Sequence, residues 1–178
     1  CSSDLYGDYG LNVFNSRSLA YLKDKELESA CVSFELRFAQ IRDLKKVLRA
    51  EAIVYGRLPL MITENCLVQN ETGCRLDRQG PCVPEDGPCR CGQPNVLVDR
   101  TGAAFPLLPA YGHRTEIQNS KPLYLADRPE HRRLGLAYAR LRFTTETAEE
   151  CVSVVQNYLD AAPAAGDFTR GLYERGVE

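Results

Sequence analysis

Five of the eight cysteines lie in one short stretch of the chain, between residues 66 and 91. The stretch reads CLVQNETGCRLDRQGPCVPEDGPCRC, and it contains many glycine, proline and charged residues but few apolar ones. Such a segment buries too little apolar surface to be ordered by hydrophobic packing. Thiolates gathered on zinc or on an iron–sulfur cluster would order it. We expect the metal ligands to be Cys66, Cys74, Cys89 and Cys91, with Cys82 as a substitute for one of them.

Disulfides are the alternative means of holding this cysteine-rich segment. The odd number of cysteines in the segment argues against them. Outside the segment, Cys31 and Cys151 stand in apolar patterns that are typical of buried thiols. We therefore favour a reduced, cytoplasmic protein with one metal centre. The alternative interpretation is a structural zinc site that only stabilises the fold.

Length and composition indicate an ordinary globular domain. The chain has 178 residues, 44% hydrophobic residues and a formal net charge of −2, which gives no sign of a polyanion-binding surface. No apolar run approaches about 18 residues, so we expect no membrane span. Because residue 1 is Cys and not Met, we expect the chain to be a processed product or a piece of something longer.

Strand and helix patterns alternate along most of the chain, which predicts consecutive βα units and a parallel sheet. We expect Val152, Val155 and Leu159 to form the inward side of the last helix. The predicted strands are 10–14, 29–36, 49–55, 122–126 and 137–143, and the predicted helices are 17–25, 38–48, 127–134 and 146–159.

A different pattern interrupts these units in the middle of the chain. After an apolar link at 57–65 and the cysteine segment, 95–99 and 103–108 predict a β-hairpin, with Pro106 suggesting an edge strand. A further short strand is expected at 115–119. The predicted organisation is βα units at 1–65, the cysteine-rich insertion at 66–94, the hairpin and loop at 95–121, closing βα units at 122–160 and a tail at 161–178.

Five predicted strands of the βα type are too few to close an eight-stranded barrel. They predict either an open α/β sheet or the C-terminal part of a TIM-like (β/α) barrel, with the cysteine-rich metal knob and the hairpin inserted. In the second case the expected partner is a missing N-terminal part of the same protein or a partner chain.

Polar residues follow the predicted strands at the end where parallel α/β folds bind their ligands. We expect catalytic roles for Glu35, Arg37, Arg57 and Glu64, and substrate binding by Asn12, Asn15, Tyr55 and Arg142. The alternative is that Glu35 forms a plain ion pair with Arg37 or with Arg57. The sequence has neither an HExxH motif nor a GxSxG elbow, so a self-contained protease is not expected.

Several stretches resemble peptidase family U32, the collagenase-like proteins. They are GDYGLNVFNS (7–16), FELRFAQIRDL (34–44), VYGRLPLMITENC (54–66), NVLVDRTGAAFPL (95–107), LRFTTE (141–146) and the closing GDFTRGLYERGVE (166–178). The resemblance implies the C-terminal part of a (β/α)8-type barrel. It also implies a cysteine-bound [4Fe-4S] cluster in the intact protein, for which Zn²⁺ would substitute in the isolated fragment.

Two functions follow from these expectations. In the first, the chain is part of an enzyme; the resemblance implies oxygen-independent hydroxylation of RNA or of a small molecule, or hydrolysis of a peptide as the family label has it. In the second, the chain is a non-catalytic module whose cysteines hold structural zinc and whose surface docks to the rest of a larger protein.

Overall fold

The computed structural model describes residues 5–72 and 93–176 of the chain. Its strands are β1 (Leu5–Gly7), β2 (Leu27–Cys31), β3 (Arg49–Gly56), β4 (Pro59–Thr63), β5 (Asn95–Val98), β6 (Ala104–Ala110), β7 (Arg114–Gln118), β8 (Leu123–Tyr124) and β9 (Tyr138–Leu141). Its α-helices are α1 (Ser16–Asp24), α2 (Phe38–Asp43), α3 (Leu67–Thr72) and α4 (Ala148–Asp160). The chain divides into two compact units, of which Arg57–Pro122 is one and the residues on either side of it form the other.

The flanking unit contains the parallel sheet that the sequence predicts. Strands β1, β2, β3 and β9 pair in that order, and every one of these pairings is parallel. Strand β8 pairs with β3 in the antiparallel direction, so the prediction of a parallel strand at 122–126 was wrong. An apolar pattern reports that a segment is buried, but it carries no information on strand direction.

The first strand lies earlier than predicted. Residues 10–14 were expected to form a strand, but Tyr9–Leu11 form a 3₁₀ helix and only Val13 makes a bridge, to Val32. The Asp8 side chain accepts a hydrogen bond from the Tyr9 backbone N–H and so starts this helix, and Asn12 ends it in the left-handed region. The edge strand is instead β1, in a segment without a strong alternating pattern.

Helix α1 begins as predicted, because the Asn15 side chain accepts hydrogen bonds from two backbone N–H groups of its first turn. Helix α2 is shorter than predicted, and residues 127–134 contain a 3₁₀ helix at Pro129–Arg133 in place of an α-helix. Three residues were expected on the inward side of α4, and that prediction was wrong: Val152, Val155 and Leu159 are 70%, 42% and 71% exposed.

The C-terminal segment, which the sequence predicted to be a tail at 161–178, belongs to the core of the flanking unit. Tyr173 is 1% exposed, and its hydroxyl donates a hydrogen bond to the backbone oxygen of Ile53 in β3 (2.5 Å). Thr169 forms a parallel bridge with Leu123. Arg170 donates two hydrogen bonds to the Asp127 carboxylate and one to a backbone oxygen. The two aromatic residues of this mostly polar segment, Phe168 and Tyr173, give no periodic signal, so the sequence did not predict that the tail enters the core.

The central unit is a four-stranded antiparallel sheet in the order β4, β7, β6, β5, with α3 contributing Val68 to a small core around Leu107 and Ile117. The predicted hairpin is confirmed as β5 and β6. The predicted link contains the additional strand β4. Strand β6 is central in the order, yet Pro106 pairs only with β5 because the pairing with β7 begins at Leu107. The proline therefore lies where its missing N–H costs no ladder hydrogen bond.

None of the helices in the two described ranges is both long enough and apolar enough to cross a membrane.

Replacing the buried tyrosine of the tail tests its contribution to stability. We expect Tyr173→Ala to lower the free energy of unfolding by about 3–5 kcal/mol, because it empties a buried aromatic site and removes a hydrogen bond to β3. Urea denaturation followed by circular dichroism measures the change. Tyr111→Ala is the matched control, since Tyr111 is 96% exposed, and it is expected to shift the free energy by less than about 0.5 kcal/mol. Equal effects of the two substitutions would contradict a core role for the tail.

Candidate functional site

The carboxyl ends of the parallel strands lie at one edge of the sheet, and two predicted site residues are next to each other there. Tyr55 is the penultimate residue of β3, and Arg142 follows β9. The Arg142 backbone N–H donates a hydrogen bond to the Tyr55 backbone oxygen (2.9 Å). Gly56 makes this close approach possible. Its φ is +118°, and a Cβ added there would lie 2.0 Å from the Arg142 backbone oxygen.

A carboxylate that the sequence analysis did not single out fixes the loop beyond β9. Glu146 accepts hydrogen bonds from the Tyr55 hydroxyl (3.2 Å) and from the backbone N–H groups of Thr144 and Thr145 (2.7 and 3.0 Å). The ring of Tyr55 packs against Phe143. Tyr55 is thus held on both sides, and its place at the end of β3 is the one predicted for a substrate-binding residue.

The Arg142 side chain reaches across the sheet to the segment that follows β1. Its guanidinium lies 5.3 Å from the centre of the Tyr9 ring, and it donates a hydrogen bond to the Tyr9 hydroxyl (3.3 Å). The Tyr9 ring in turn lies 5.9 Å from the ring of Phe34. Three strand ends therefore contribute one cationic and two aromatic side chains to the same place.

A network of charges lies beneath these side chains, two residues earlier along β9. Arg140 forms ion pairs with Glu51 of β3 and with Asp8, which follows β1. Strands β1 and β9 are separated by β2 and β3, and in a flat sheet with a spacing of about 4.8 Å they would be about 14 Å apart. The Arg140 and Asp8 side chains can meet across this distance if both project from the same face of the sheet and the sheet curves towards that face.

Cys31 lies beside this network, but its environment does not favour a nucleophile. The side chain is fully buried, and burial raises its pKa to about 12, although the Arg140 charge acts in the opposite direction. The thiol is therefore protonated at neutral pH, and a protonated thiol is a poor nucleophile. This confirms the sequence-based expectation that Cys31 is a buried thiol.

Two further predicted residues, Glu35 and Arg37, follow β2. They form no ion pair with each other in the part of the chain that the structure describes. Glu35 is half-buried, and its backbone N–H bonds to the Ser33 hydroxyl (3.4 Å). The exposed Arg37 lies against Gly176, where a Cβ would be 2.6 Å from its Cδ. The catalytic roles of both residues stay predictions.

The two predicted asparagines have structural positions at helix ends. Asn15 caps α1 through its side chain, and Asn12 adopts a φ of +46° at the end of the first 3₁₀ helix. A left-handed conformation is one that asparagine tolerates better than most residues. Their predicted substrate contacts stay predictions.

The central unit holds the remaining predicted residues. Arg57 donates hydrogen bonds to the backbone oxygens of Asn119 (3.0 Å) and Ser120, so its guanidinium braces a loop. Glu64 is 80% exposed and pairs with Arg114 (3.2 Å). Both arrangements stabilise the unit locally, and neither tests a catalytic role.

Cys66 is the one predicted metal ligand within the described ranges, since Cys74, Cys82, Cys89 and Cys91 lie outside them. It is half-buried, takes part in no disulfide with any described residue, and its sulfur accepts a hydrogen bond from the Gln69 backbone N–H (3.4 Å). Leu67 is held beside it by a hydrogen bond to Thr115 (3.1 Å). No group of three metal-ligating side chains occurs among the residues that the structure describes.

Sequence patterns could have indicated some of the residues that were missed. Glu146 begins the predicted helix 146–159, and a carboxylate at a helix N-terminus can accept hydrogen bonds from backbone N–H groups. Glu51 and Arg140 are charged residues inside otherwise apolar strands, and such residues are paired when they are buried. No local signal connects Asp8 to either of them, because the contact spans 132 residues of sequence.

Fold and site together define an α/β protein with a curved parallel sheet whose strand ends carry polar and aromatic side chains. A family model described as peptidase family U32 matches residues 7–100, which are 94 of the 178 residues. The chain therefore belongs to peptidase family U32. A search among curated proteins and a search among solved structures gave no match.

Thiol modification tests the buried state of Cys31. We expect a thiol reagent at neutral pH to leave Cys31 unmodified in the native protein, because its pKa of about 12 keeps it protonated and its side chain is inaccessible. The half-buried Cys151 is the internal control and is expected to react first. Peptide mapping by mass spectrometry, before and after denaturation, assigns each site. Native modification of Cys31 at the rate of Cys151 would overturn this assignment.

Proposed function

We propose that this chain is part of a U32-family enzyme and that it supplies the thiolate ligands of that enzyme's metal centre. The observation that carries the proposal is the state of Cys66. It is a half-buried thiol outside any disulfide with the described residues, and its sulfur already accepts a backbone N–H. Hydrogen bonds to sulfur of this kind tune cysteine-ligated centres.

The donor set fits an iron–sulfur cluster. Cys66, Cys74, Cys89 and Cys91 are four thiolates within 26 residues, with Cys82 available as a substitute, and four cysteines are what a [4Fe-4S] cluster requires. The same set would hold Zn²⁺ tetrahedrally in protein exposed to air. When bound, the cluster would supply electron-transfer chemistry, and a reduced cytoplasmic setting suits its thiolates.

The strand ends of the flanking unit are the proposed substrate site. Arg142 with Tyr9 and Phe34, and Tyr55 with Glu146, offer a cation, aromatic faces and hydrogen-bonding groups to a polar, planar molecule. An RNA base or a small aromatic metabolite has these properties. We assign oxygen-independent hydroxylation of such a substrate as the reaction class. Glu35 and Arg37, which follow β2, are the candidate catalytic residues at this end of the sheet.

The same proposal takes the parallel sheet as part of a (β/α)8 barrel. Its support is the curvature that brings Arg140 to Asp8 across two intervening strands. Barrels bind their ligands at the carboxyl ends of the strands, where Tyr55 and Arg142 lie. Strands from outside the sheet described here would close it.

Peptide hydrolysis, which the family name suggests, receives less support. The sequence lacks the HExxH and GxSxG motifs, and the buried Cys31 is protonated at neutral pH. A structural zinc centre is the second reading of the cysteines, and metal analysis separates it from the cluster.

We expect protein purified without air to carry iron and sulfide and to absorb in the visible region, and Cys66→Ser to lose most of that metal, because a ligand is removed. Elemental analysis by mass spectrometry measures iron and zinc per chain. Cys151→Ser is the matched control, since it replaces another half-buried free thiol, and it is expected to keep the wild-type metal content.

Each alternative gives a different result in the same measurement. Stoichiometric zinc and no iron in the anaerobic protein would show that the cysteines hold a structural zinc ion and not an iron–sulfur cluster. Equal metal content in the Cys66→Ser and Cys151→Ser variants would show that Cys66 is not a metal ligand.

A further inference from the structure

One carboxylate determines the direction of a hydrogen bond in the proposed substrate site. The two oxygens of Glu146 have different partners. Its Oε2 accepts hydrogen bonds from the backbone N–H groups of Thr144 (2.7 Å) and Thr145 (3.0 Å), and its Oε1 accepts one from the Tyr55 hydroxyl (3.2 Å). An ionised carboxylate can only accept hydrogen bonds. All three contacts therefore require Glu146 to be the acceptor.

The position of the Tyr55 hydroxyl is fixed by the packing of its ring. Tyr55 is 7% exposed, and its ring centre lies 5.5 to 6.5 Å from those of Phe143, Tyr124 and Tyr158. A ring held in this way leaves the hydroxyl one freedom, which is the rotation of its proton about the C–O bond. Glu146 removes that freedom as well, because its Oε1 accepts this proton.

The same tyrosine holds both ends of the segment 142–146. Its backbone oxygen accepts the Arg142 backbone N–H (2.9 Å), and its hydroxyl donates to Glu146. The Arg142 guanidinium is held in turn over the ring of Tyr9 (5.3 Å). The cation and the phenolic oxygen are therefore fixed relative to each other at this edge of the sheet.

A tyrosine hydroxyl has one proton, and in this site Glu146 accepts it. Towards any other group the Tyr55 hydroxyl oxygen can then only accept a hydrogen bond. A ligand group that faces this oxygen has to carry an N–H or O–H donor, because an acceptor placed there would leave two polar atoms unpaired. The side chain at position 146 thus decides which ligand groups suit the tyrosine.

We propose that Glu146 is a positioning residue that makes Tyr55 a hydrogen-bond acceptor, so that the site selects planar molecules with an N–H or O–H donor at the ring edge. Glu146 acts through Tyr55 and needs no contact with the ligand. Ring amides, aromatic amines and phenols carry such donors, whereas aromatic ketones and ethers do not. This inference rests on the proposed substrate site, but it does not depend on the metal centre.

Glu146→Gln reverses the polarity of this hydrogen bond and keeps the shape of the side chain. The two backbone N–H groups are donors, so they hold the amide oxygen of the glutamine where Oε2 lies in the wild type. The amide NH₂ group then faces the Tyr55 hydroxyl, which has to accept from it, and the tyrosine proton turns away from residue 146. Tyr55 is thereby converted from an acceptor to a donor.

The test is calorimetric titration of the full chain with two planar probes. Both para-aminobenzoate and para-acetylbenzoate carry a carboxylate for Arg142, but the first has an N–H donor and the second has a carbonyl acceptor. We expect the wild type to bind para-aminobenzoate about tenfold more tightly, because the other probe leaves the Tyr55 oxygen unpaired. In Glu146→Gln we expect the preference to change to para-acetylbenzoate.

The ratio of the two dissociation constants is the quantity to compare, because the lost charge at residue 146 affects both anionic probes alike. Glu150→Gln is the matched control. Glu150 lies in the first turn of α4 and accepts the Thr147 backbone N–H (2.8 Å), so this variant loses the same charge near the same helix end. It is expected to keep the wild-type ratio.

Tyr55→Phe keeps the ring and removes the hydroxyl, and it is expected to lose the preference for either probe. Circular dichroism spectra matching the wild type establish that the variants are folded. An unchanged ratio in Tyr55→Phe would overturn the inference without any need for the Glu146 variant.

The outcomes separate this inference from the substrate site on which it rests. Equal affinities of the wild type for the two probes would overturn the role of Glu146 and leave the site standing. A parallel loss of affinity for both probes in Glu146→Gln, with the ratio unchanged, would show a purely structural role and would also overturn the proposal. A wild type that binds neither probe would overturn the substrate site, and this inference with it.

Discussion

The ion pairs of Arg140 with Asp8 and Glu51 are the interaction on which the arrangement of the parallel sheet depends. They join strands that are not neighbours, so they link the curvature of the sheet to the positions of its strand ends. Arg140 and Glu51 are largely buried, and removing one partner of such a pair leaves an uncompensated charge inside the protein. Asp8 also begins the 3₁₀ helix that carries Tyr9, and Tyr9 contacts Arg142, which directly follows the strand that carries Arg140. One charged contact thus positions the aromatic and cationic groups at the strand ends.

The centre of the sheet is held by the hydroxyl groups of two tyrosines, the buried Tyr173 and the half-buried Tyr158. Tyr173 donates to the backbone oxygen of Ile53, and Tyr158 donates to that of Val54 (both 2.5 Å). Burial raises the pKa of each hydroxyl, so both hydroxyls are protonated and can donate at neutral pH. These contacts bring α4 and the C-terminal segment against β3. Both tyrosines thus hold β3, the strand that ends at the candidate site.

The positions of secondary structure could be predicted wherever a segment has a regular pattern or a cap. Strand β3, helix α1 with its Asn15 cap and the β5–β6 hairpin were predicted from such signals. The inward side of α4 was not, because Val154 and Tyr158 face the core while the equally apolar Val155 and Leu159 line an open groove. Hydrophobic periodicity identifies an apolar face, but the neighbours that cover it are set by the fold.

By itself the sequence determined the family, the parallel βα arrangement and the presence of a thiol-rich segment, because motifs, periodicity and cysteine count are local properties of the chain. Tertiary structure alone decided that β8 is antiparallel, that the tail enters the core and that Asp8, Glu51 and Arg140 form one network. These features depend on contacts between residues about 70 to 130 positions apart. Such contacts form only when strands from distant parts of the chain pair, and no local pattern specifies which strands those are.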